Sequence, residues 1–186
     1  TTSATGGESF KATIIVGSGA TVWTVTNAGG DCTSGTPAVG TVCADGTIYA
    51  GLTPDGNVKM FTTRCDFGQT WDGTNCTGSR LPQNWNNGTA NMTTTGLTNE
   101  NTGASNSNAL SLSVDIGSPY DAAVSCENLN INGHSDWYLP AVYELDVLYD
   151  GRFAIGNFET SASNSNYWTS TEYTTSNASF RRFSTG

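Results

Sequence analysis

Gly133-His134-Ser135-Asp136-Trp137-Tyr138-Leu139-Pro140-Ala141-Val142-Tyr143-Glu144-Leu145-Asp146-Val147-Leu148-Tyr149-Asp150 carries a change of periodicity in the middle. Trp137 and Leu139 sit two apart, the spacing of one strand face. Pro140 then sets φ near the helical value at a first-turn position, where its missing N–H costs nothing. Val142, Leu145, Leu148 and Tyr149 recur at i, i+3, i+6 and i+7, the apolar face of a helix of about two to three turns. Glu144 and Asp146 flank that face toward water, and Tyr143 and Val147 fall on the far side. The Trp137-x-Leu139-Pro140 corner therefore reads as a structural pivot, with Trp168 joining its core. It holds no catalytic constellation.

Outward from the pivot, Ser118-Pro119-Tyr120-Asp121 is a helix start, with Ser as cap, Pro at the first position and Asp at the third. That helix is predicted to run to about Leu129, with Asn132-Gly133 as its left-handed end. After the pivot, Arg152 to Phe158 turns back, and Tyr167–Ser170 and Ala178–Phe183 read as strands. Residues 79–118 are polar, with Trp85 as their lone aromatic, and Leu110, Leu112 and Val114 alternate as a strand would. Connections of that length tend to be functional or mobile. Val58–Thr63 is a strand after the turn Thr53-Pro54-Asp55-Gly56-Asn57. Asp45-Gly46 joins Thr41–Cys43 to Thr47–Gly51, and Gly17-Ser18-Gly19 joins Ile14–Val16 to Val22–Val25 as hairpins. Residues 1–9 read as a linker or attachment arm.

Composition points the same way. Thr, Ser, Asn and Gly dominate, only 12% of residues are charged, and 10% are aromatic. Such an alphabet favours short strands and turns over long helices, and its aromatics argue against disorder. The fold class expected is α+β: loop-rich, with short antiparallel strands and two helices. The net charge of −9 disfavours a polyphosphate partner, so no nucleic-acid binding is expected. No apolar run reaches the roughly 20 residues that span a bilayer. The chain starts without Met or a signal-peptide pattern, as a processed or trimmed product would.

Five cysteines fall at 32, 43, 65, 76 and 126, with no C-x-x-C pair and a single histidine, so no zinc site is expected. Two pairs lie eleven residues apart among turn residues. Of the three pairings four cysteines allow, Cys32–Cys43 and Cys65–Cys76 are preferred on loop length, in an oxidising compartment. The second loop encloses Trp71-Asp72-Gly73-Thr74. Such a turn can hold calcium, but the acidic spacing and closing Glu of an EF-hand loop are absent. No cofactor is expected.

Asp136-Trp137-Tyr138-Leu139-Pro140, Glu144-Leu145 and Tyr167-Trp168-Thr169-Ser170-Thr171-Glu172 together resemble the C-terminal domain of the Legionella collagen-like adhesin family, a bacterial and phage module once known as a domain of unknown function. It is more distantly similar to C-type-lectin-like and formylglycine-generating-enzyme folds. The resemblance is dense over 119–186, looser over 39–118 and absent from 1–38. It implies a C-type-lectin-like domain over 39–186; outside it, 1–38 reads from its own residues as an extension with a strand pair, a docking or attachment segment. It also implies an extracellular or cell-surface place, bacterial or phage. Such domains close with an Arg-Cys-Val-Arg-like strand that this sequence lacks. In that family a helix cysteine at the place of Cys126 pairs with the closing strand; a buried free thiol is the alternative.

Functional candidates are few. His134, Ser135 and Asp136 are adjacent, where side chains diverge, and no Gly-x-Ser-x-Gly elbow exists. Glu144 and Glu172 could pair as glycosidase carboxylates, but read more simply as solvated surface residues or local hydrogen-bonders. Enzymatic cysteines and calcium-lectin signatures are absent. Trp85 and Tyr173, with Glu172, are the candidates for ligand contact, since aromatics among Asn, Thr and Ser loops suit stacking and adaptable hydrogen bonding. Trp23, Trp71, Trp137 and Trp168 are assigned to the core. The expected function is non-enzymatic surface recognition or adhesion toward an extracellular glycan or protein. A second reading is a subunit of a pilus or phage fibre that self-assembles through residues 1–26. The family is associated with sulfated glycosaminoglycans, yet Arg152, Arg181 and Arg182 are the only Lys or Arg residues in 119–186. Any glycan ligand is therefore expected to be neutral.

Overall fold

The computed structural model describes residues 11–16, 21–26, 32, 34–54, 58–86, 95–115, 118–161, 165–174 and 177–184, with 11–16, 21–26, 114, 115 and 118 described as backbone. The architecture is mixed α+β. In chain order come β1 (Lys11–Val16), β2 (Thr21–Thr26), β3 (Ile48–Leu52), β4 (Lys59–Thr62), β5 (Thr70–Trp71), β6 (Cys76–Thr77), α1 (Gly103–Ser111), β7 (Val114–Asp115), β8 (Ser118–Pro119), α2 (Asp121–Glu127), α3 (Val142–Ile155), β9 (Asn166–Thr174) and β10 (Asn177–Arg182). The strands form two-stranded antiparallel pairs, each with its neighbour in sequence. The turn residues expected at 17–19 and 55–57 lie outside the described residues, as does the side chain of Trp23.

Two disulfides staple the loops, Cys32–Cys43 and Cys65–Cys76, as loop length suggested. Cys126 is a free thiol, and burial followed by the neighbouring Glu127 carboxylate pushes its pKa up to about 12. A raised pKa disfavours the thiolate, the reactive form of cysteine.

The largest core lies where α3 crosses β3 and the β9–β10 hairpin: Ile48, Ala50, Met60, Leu145, Leu148, Ile155 and Phe183. Phe183 is its hub, with ring centroids of Tyr167, Phe158 and Tyr149 at 4.5, 4.8 and 5.4 Å. A bulge between Tyr49 and Gly51 brings β3 against α3. Gly51 has φ +127° and a Cβ there would stand 2.9 Å from Val147 Cγ1, so only glycine lets the two approach this closely. A second core joins α1 to α2 through Trp85, Leu110, Tyr120, Ala123 and Leu139. A small third cluster packs the Cys32–Cys43 bridge on Tyr49.

Several sequence expectations are corrected. There are three helices among the described residues, not two. The third, α1, falls in the polar stretch where Leu110, Leu112 and Val114 suggested a strand. It is held by polar partners rather than an apolar stripe: Asn106 Nδ2 donates to Asn99 O at 2.7 Å, and Leu139 N donates to Ser107 Oγ at 2.9 Å. Ser118 and Pro119 belong to β8, not to a cap and first turn, because they pair with Asp115 and Val114; α2 starts after Tyr120 instead. It ends at Glu127, so Asn132-Gly133, with φ +58° and +79°, makes the tight turn between Ile131 and His134.

The pivot also differs in detail. Helix α3 runs 14 residues, capped after Pro140. Leu139 is buried, but Trp137 is only half-buried, lies in no strand, and donates from Nε1 to His134 O at 3.1 Å. Trp71 is also half-buried, under the Arg64 guanidinium at 4.9 Å. Glu144, expected at the solvent, is 2% exposed. Its Oε2 accepts from Ala141 N at 2.9 Å, which is the reach-back half of a capping box, and from Gly103 N at 3.1 Å. Tyr138 donates its hydroxyl to the other oxygen at 3.1 Å. One carboxylate thus closes the starts of both α3 and α1.

Candidate recognition surface

The β9–β10 hairpin positions the candidate site. Its regular end pairs Trp168 with Phe180, Tyr167 with Arg181 and Asn166 with Arg182. Successive side chains alternate faces, so Tyr167 enters the Phe183 core while Trp168 and Phe180 point outward. Register shifts between Asn177 and Phe180 interrupt the alternation. Beyond them, Thr169 to Glu172 are all buried and Tyr173 emerges again.

The result is a depression of about 440 Å³ lined by Trp168, Tyr173, Phe180, Asn84 and Asn177, with Trp85, Asn86 and Ala178 beneath. Trp168, Phe180 and Tyr173 are 38%, 50% and 76% exposed, a concentration of aromatic surface that folding would otherwise hide. Trp168 and Phe180 meet edge to face at 6.1 Å and 81°. Trp168 Nε1 donates to Gln83 O at 2.9 Å, which fixes the indole plane.

Of the residues proposed from sequence for ligand contact, Tyr173 alone is exposed on this rim. Trp85, expected at the surface, is 6% exposed: its Nε1 donates to Thr169 O at 2.8 Å and its ring packs on Tyr120 at 5.1 Å. Trp168, assigned to the core, has the exposed place instead. The exchange follows from the hairpin register, since Trp85 lies beneath β9 and Trp168 on top of it. Glu172 is 5% exposed and turned inward, accepting from Thr95 N at 3.0 Å, Thr95 Oγ1 at 2.9 Å and Gly96 N at 2.9 Å. It anchors the 95–97 segment to β9 rather than reaching a ligand. Phe180, Asn84 and Asn177 escaped the sequence reading; pairing Tyr167–Ser170 with Ala178–Phe183 would have set Phe180 beside Trp168.

Other candidate clusters are internally satisfied. His134 Nε2 lies 2.9 Å from Asp45 Oδ2 and Nδ1 lies 3.7 Å from Asp136 Oδ1, so both ring nitrogens face carboxylates. Asp45 also accepts from Thr47 N and Thr47 Oγ1 at 2.8 and 2.7 Å. Desolvation raises its pKa, but the hydrogen bonds from His134 and Thr47 outweigh it and hold the carboxyl below the usual range. Around a second, polar cleft, Arg80 Nε donates to Asp66 at 2.8 Å and Arg80 Nη2 to the Tyr167 hydroxyl at 2.7 Å. Tyr167 in turn donates to Asp66 at 2.9 Å; burial, then the Asp66 charge, pushes its hydroxyl well above the ordinary range.

In the Cys65–Cys76 loop, Asp72 Oδ1 accepts from Thr74 N and Asn75 N, both at 2.8 Å, so this carboxylate closes its own turn. Among the described residues no group of three or more His, Cys, Asp or Glu side chains converges as a metal site would. No helix among them is long and apolar enough to cross a membrane. No protein-family model, curated protein or solved structure matches the chain.

Proposed function

We propose that this chain is an extracellular, non-catalytic recognition domain on a C-type-lectin-like scaffold, and that it meets its ligand at the Trp168–Phe180–Tyr173 depression. The observation that carries this reading is the outward clustering of three large aromatics on one hairpin. Leaving such area in water is unfavourable by about 25 cal/mol per Å² of apolar surface, so a partner that covers it gains that energy. The neighbouring clusters support a passive role, because Glu144, Glu172 and Asp72 accept backbone N–H groups. The two disulfides fit an oxidising environment such as the cell exterior. The likeness of 136–140 and 167–172 to the collagen-like adhesin domain agrees with surface recognition.

The test is binding of labelled protein to arrayed extracellular glycans and proteins, comparing wild type with the triple variant Trp168→Ala, Phe180→Ala, Tyr173→Ala. Circular dichroism confirms that the variant is folded. The expected result is loss of array binding in a folded variant. Binding that survives the triple substitution overturns the assignment of the site.

A further inference from the structure

Among the described residues, the lining of the depression holds no carboxylate, lysine, arginine or histidine: around the aromatics stand only asparagines and Ala178. On the same face of the hairpin, Arg182 lies two residues beyond Phe180 and donates to Asn166 Oδ1 at 3.2 Å, outside the lining. Glu172, next to Tyr173 in β9, is turned into the fold and held by Thr95 and Gly96. An anionic ligand would therefore find no countercharge, and a metal ion no carboxylate.

The aromatics have a definite shape. Trp168 and Phe180 pack edge to face as cross-strand partners, with their planes at 81° and centroids 6.1 Å apart, so the edge of one ring meets the face of the other. Trp168 Nε1 is already bonded to Gln83 O, so the indole offers its π face. A π face carries partial negative charge and attracts weakly polarised C–H groups. Because the indole is held in place before binding, little side-chain entropy is lost on contact. At the rim, Asn84 and Asn177 present amides, which donate and accept; Asn177 uses one donor on Thr174 Oγ1 at 3.0 Å. The site thus matches a ligand with a flat C–H face and a girdle of neutral hydroxyls.

We propose, on the strength of the recognition reading above, that the depression is a subsite for one neutral pyranose ring with an unbroken C–H face, such as a β-linked gluco- or galacto-configured unit. The ring lies on Trp168 with its hydroxyls toward Asn84 and Asn177. The volume, about 440 Å³, lies in the lower part of the roughly 300–1,000 Å³ range of small-ligand sites, and suits one ring better than an extended chain. A quaternary ammonium also favours aromatic surfaces, but its head group has no donor or acceptor to meet the amides of Asn84 and Asn177.

The experiment is NMR on the intact chain. Saturation transfer is measured to methyl β-glucopyranoside, methyl β-galactopyranoside, glucuronate and choline chloride, while the Trp168 indole N–H signal is followed by titration. Expected are saturation at the ring C–H protons of one or both neutral glycosides and a shift of the Trp168 signal. Trp168→Ala should weaken binding about tenfold, the scale of one stacking contact. Tyr143→Ala, which removes an exposed aromatic elsewhere, should leave it unchanged. Choline binding more tightly than the glycosides overturns the proposal in favour of a cation cage, and glucuronate binding as well as the glucoside overturns the neutral selectivity. If none of the probes moves the Trp168 signal while the triple variant still abolishes array binding, the pyranose assignment falls and the recognition reading stands. If array binding survives the triple variant, both fall.

Discussion

The two faces of the β9–β10 hairpin are made of similar residues and do opposite things. On the inner face, Tyr167 and Phe183 interlock with Phe158 and Tyr149; Phe183 is fully buried and the rings around it are half-buried. On the outer face, Trp168, Phe180 and Tyr173 stand in water around a depression. Aromatic content does not distinguish the faces; register does. The inner rings have α3 and β3 to cover them, and among the described elements nothing of that kind lies over the outer ones.

The strongest way to break this contrast is to truncate one ring on each side. Phe183→Ala should destabilise by about 3–5 kcal/mol through the cavity it leaves, read as a shift in the urea midpoint. Phe180→Ala should stay within about 0.5 kcal/mol, as surface changes do. Equal losses would mean that the outer face is as much a part of the core as the inner one.

A sharper question is whether Glu172 belongs to the structure or to the ligand site. Removing its charge by Glu172→Gln weakens the bonds from Thr95 and Gly96, at about 1.5–3 kcal/mol for a charged acceptor. Urea unfolding should show that loss, and the Thr95 and Gly96 amide resonances should move. A stable variant with altered ligand binding would return Glu172 to the site.

The Asp45–His134 contact supplies a control with a pH signature. Its folded pKa lies below the unfolded value of about 3.9. The stability it adds is complete above that pH and is lost as the pH falls through the folded value. The stability gap between wild type and Asp45→Asn should therefore shrink between about pH 7 and pH 3. A constant gap would show that the Asp45–His134 contact is electrostatically silent.

The smallest effect concerns polyanions. Arg181 is engaged by Asp146 at 3.3 Å and stacks over Tyr149 at 4.3 Å, while Arg182 faces the other way toward Asn166. With the pair divided and the net charge −9, no retention on heparin is expected at about 0.15 M salt. Retention abolished by Arg181→Ala with Arg182→Ala would show a basic patch that overrides the acidic field.

What was readable in the sequence was local. The apolar runs either side of Gly17-Ser18-Gly19 marked the β1–β2 pair, equal loop lengths marked the disulfides, and the 142–149 spacing marked α3 although not its full length, whereas Asp45-Gly46 joins only the single Val42–Ile48 bridge. Helix α1 was invisible because its buried side chains are Asn106 and Ser107, whose partners Asn99 and Leu139 appear only once the chain has folded. Trp85 and Trp168 exchange places for a related reason: the hairpin register sets Trp168 opposite Phe180 on the outer face, while Trp85, in no strand, bonds Thr169 from beneath, a contact that exists only once the chain has folded. Trp137, placed at the centre of the pivot, is half-buried because no strand forms there, and the smaller Leu139 fills the core instead.

The carboxylate shared by two helix starts sets an order of assembly. Helix α1 has no side-chain cap and no acid in its first turn, and a nine-residue helix does not hold itself in water. Its first N–H waits for Glu144, which is in position only once α3 has formed over β9, where Val142 N meets Thr171 Oγ1 at 3.3 Å. Helix α1 is therefore expected to fold later and open sooner than α3. In native-state hydrogen exchange its amides should lose protection while those of α3 keep theirs, and simultaneous loss would refute that order. Gly103→Ala would jam the latch, because a Cβ there collides with the Glu144 carboxylate and the Ala141 amide. The fold would then keep its aromatic face while one of its three described helices comes unmoored.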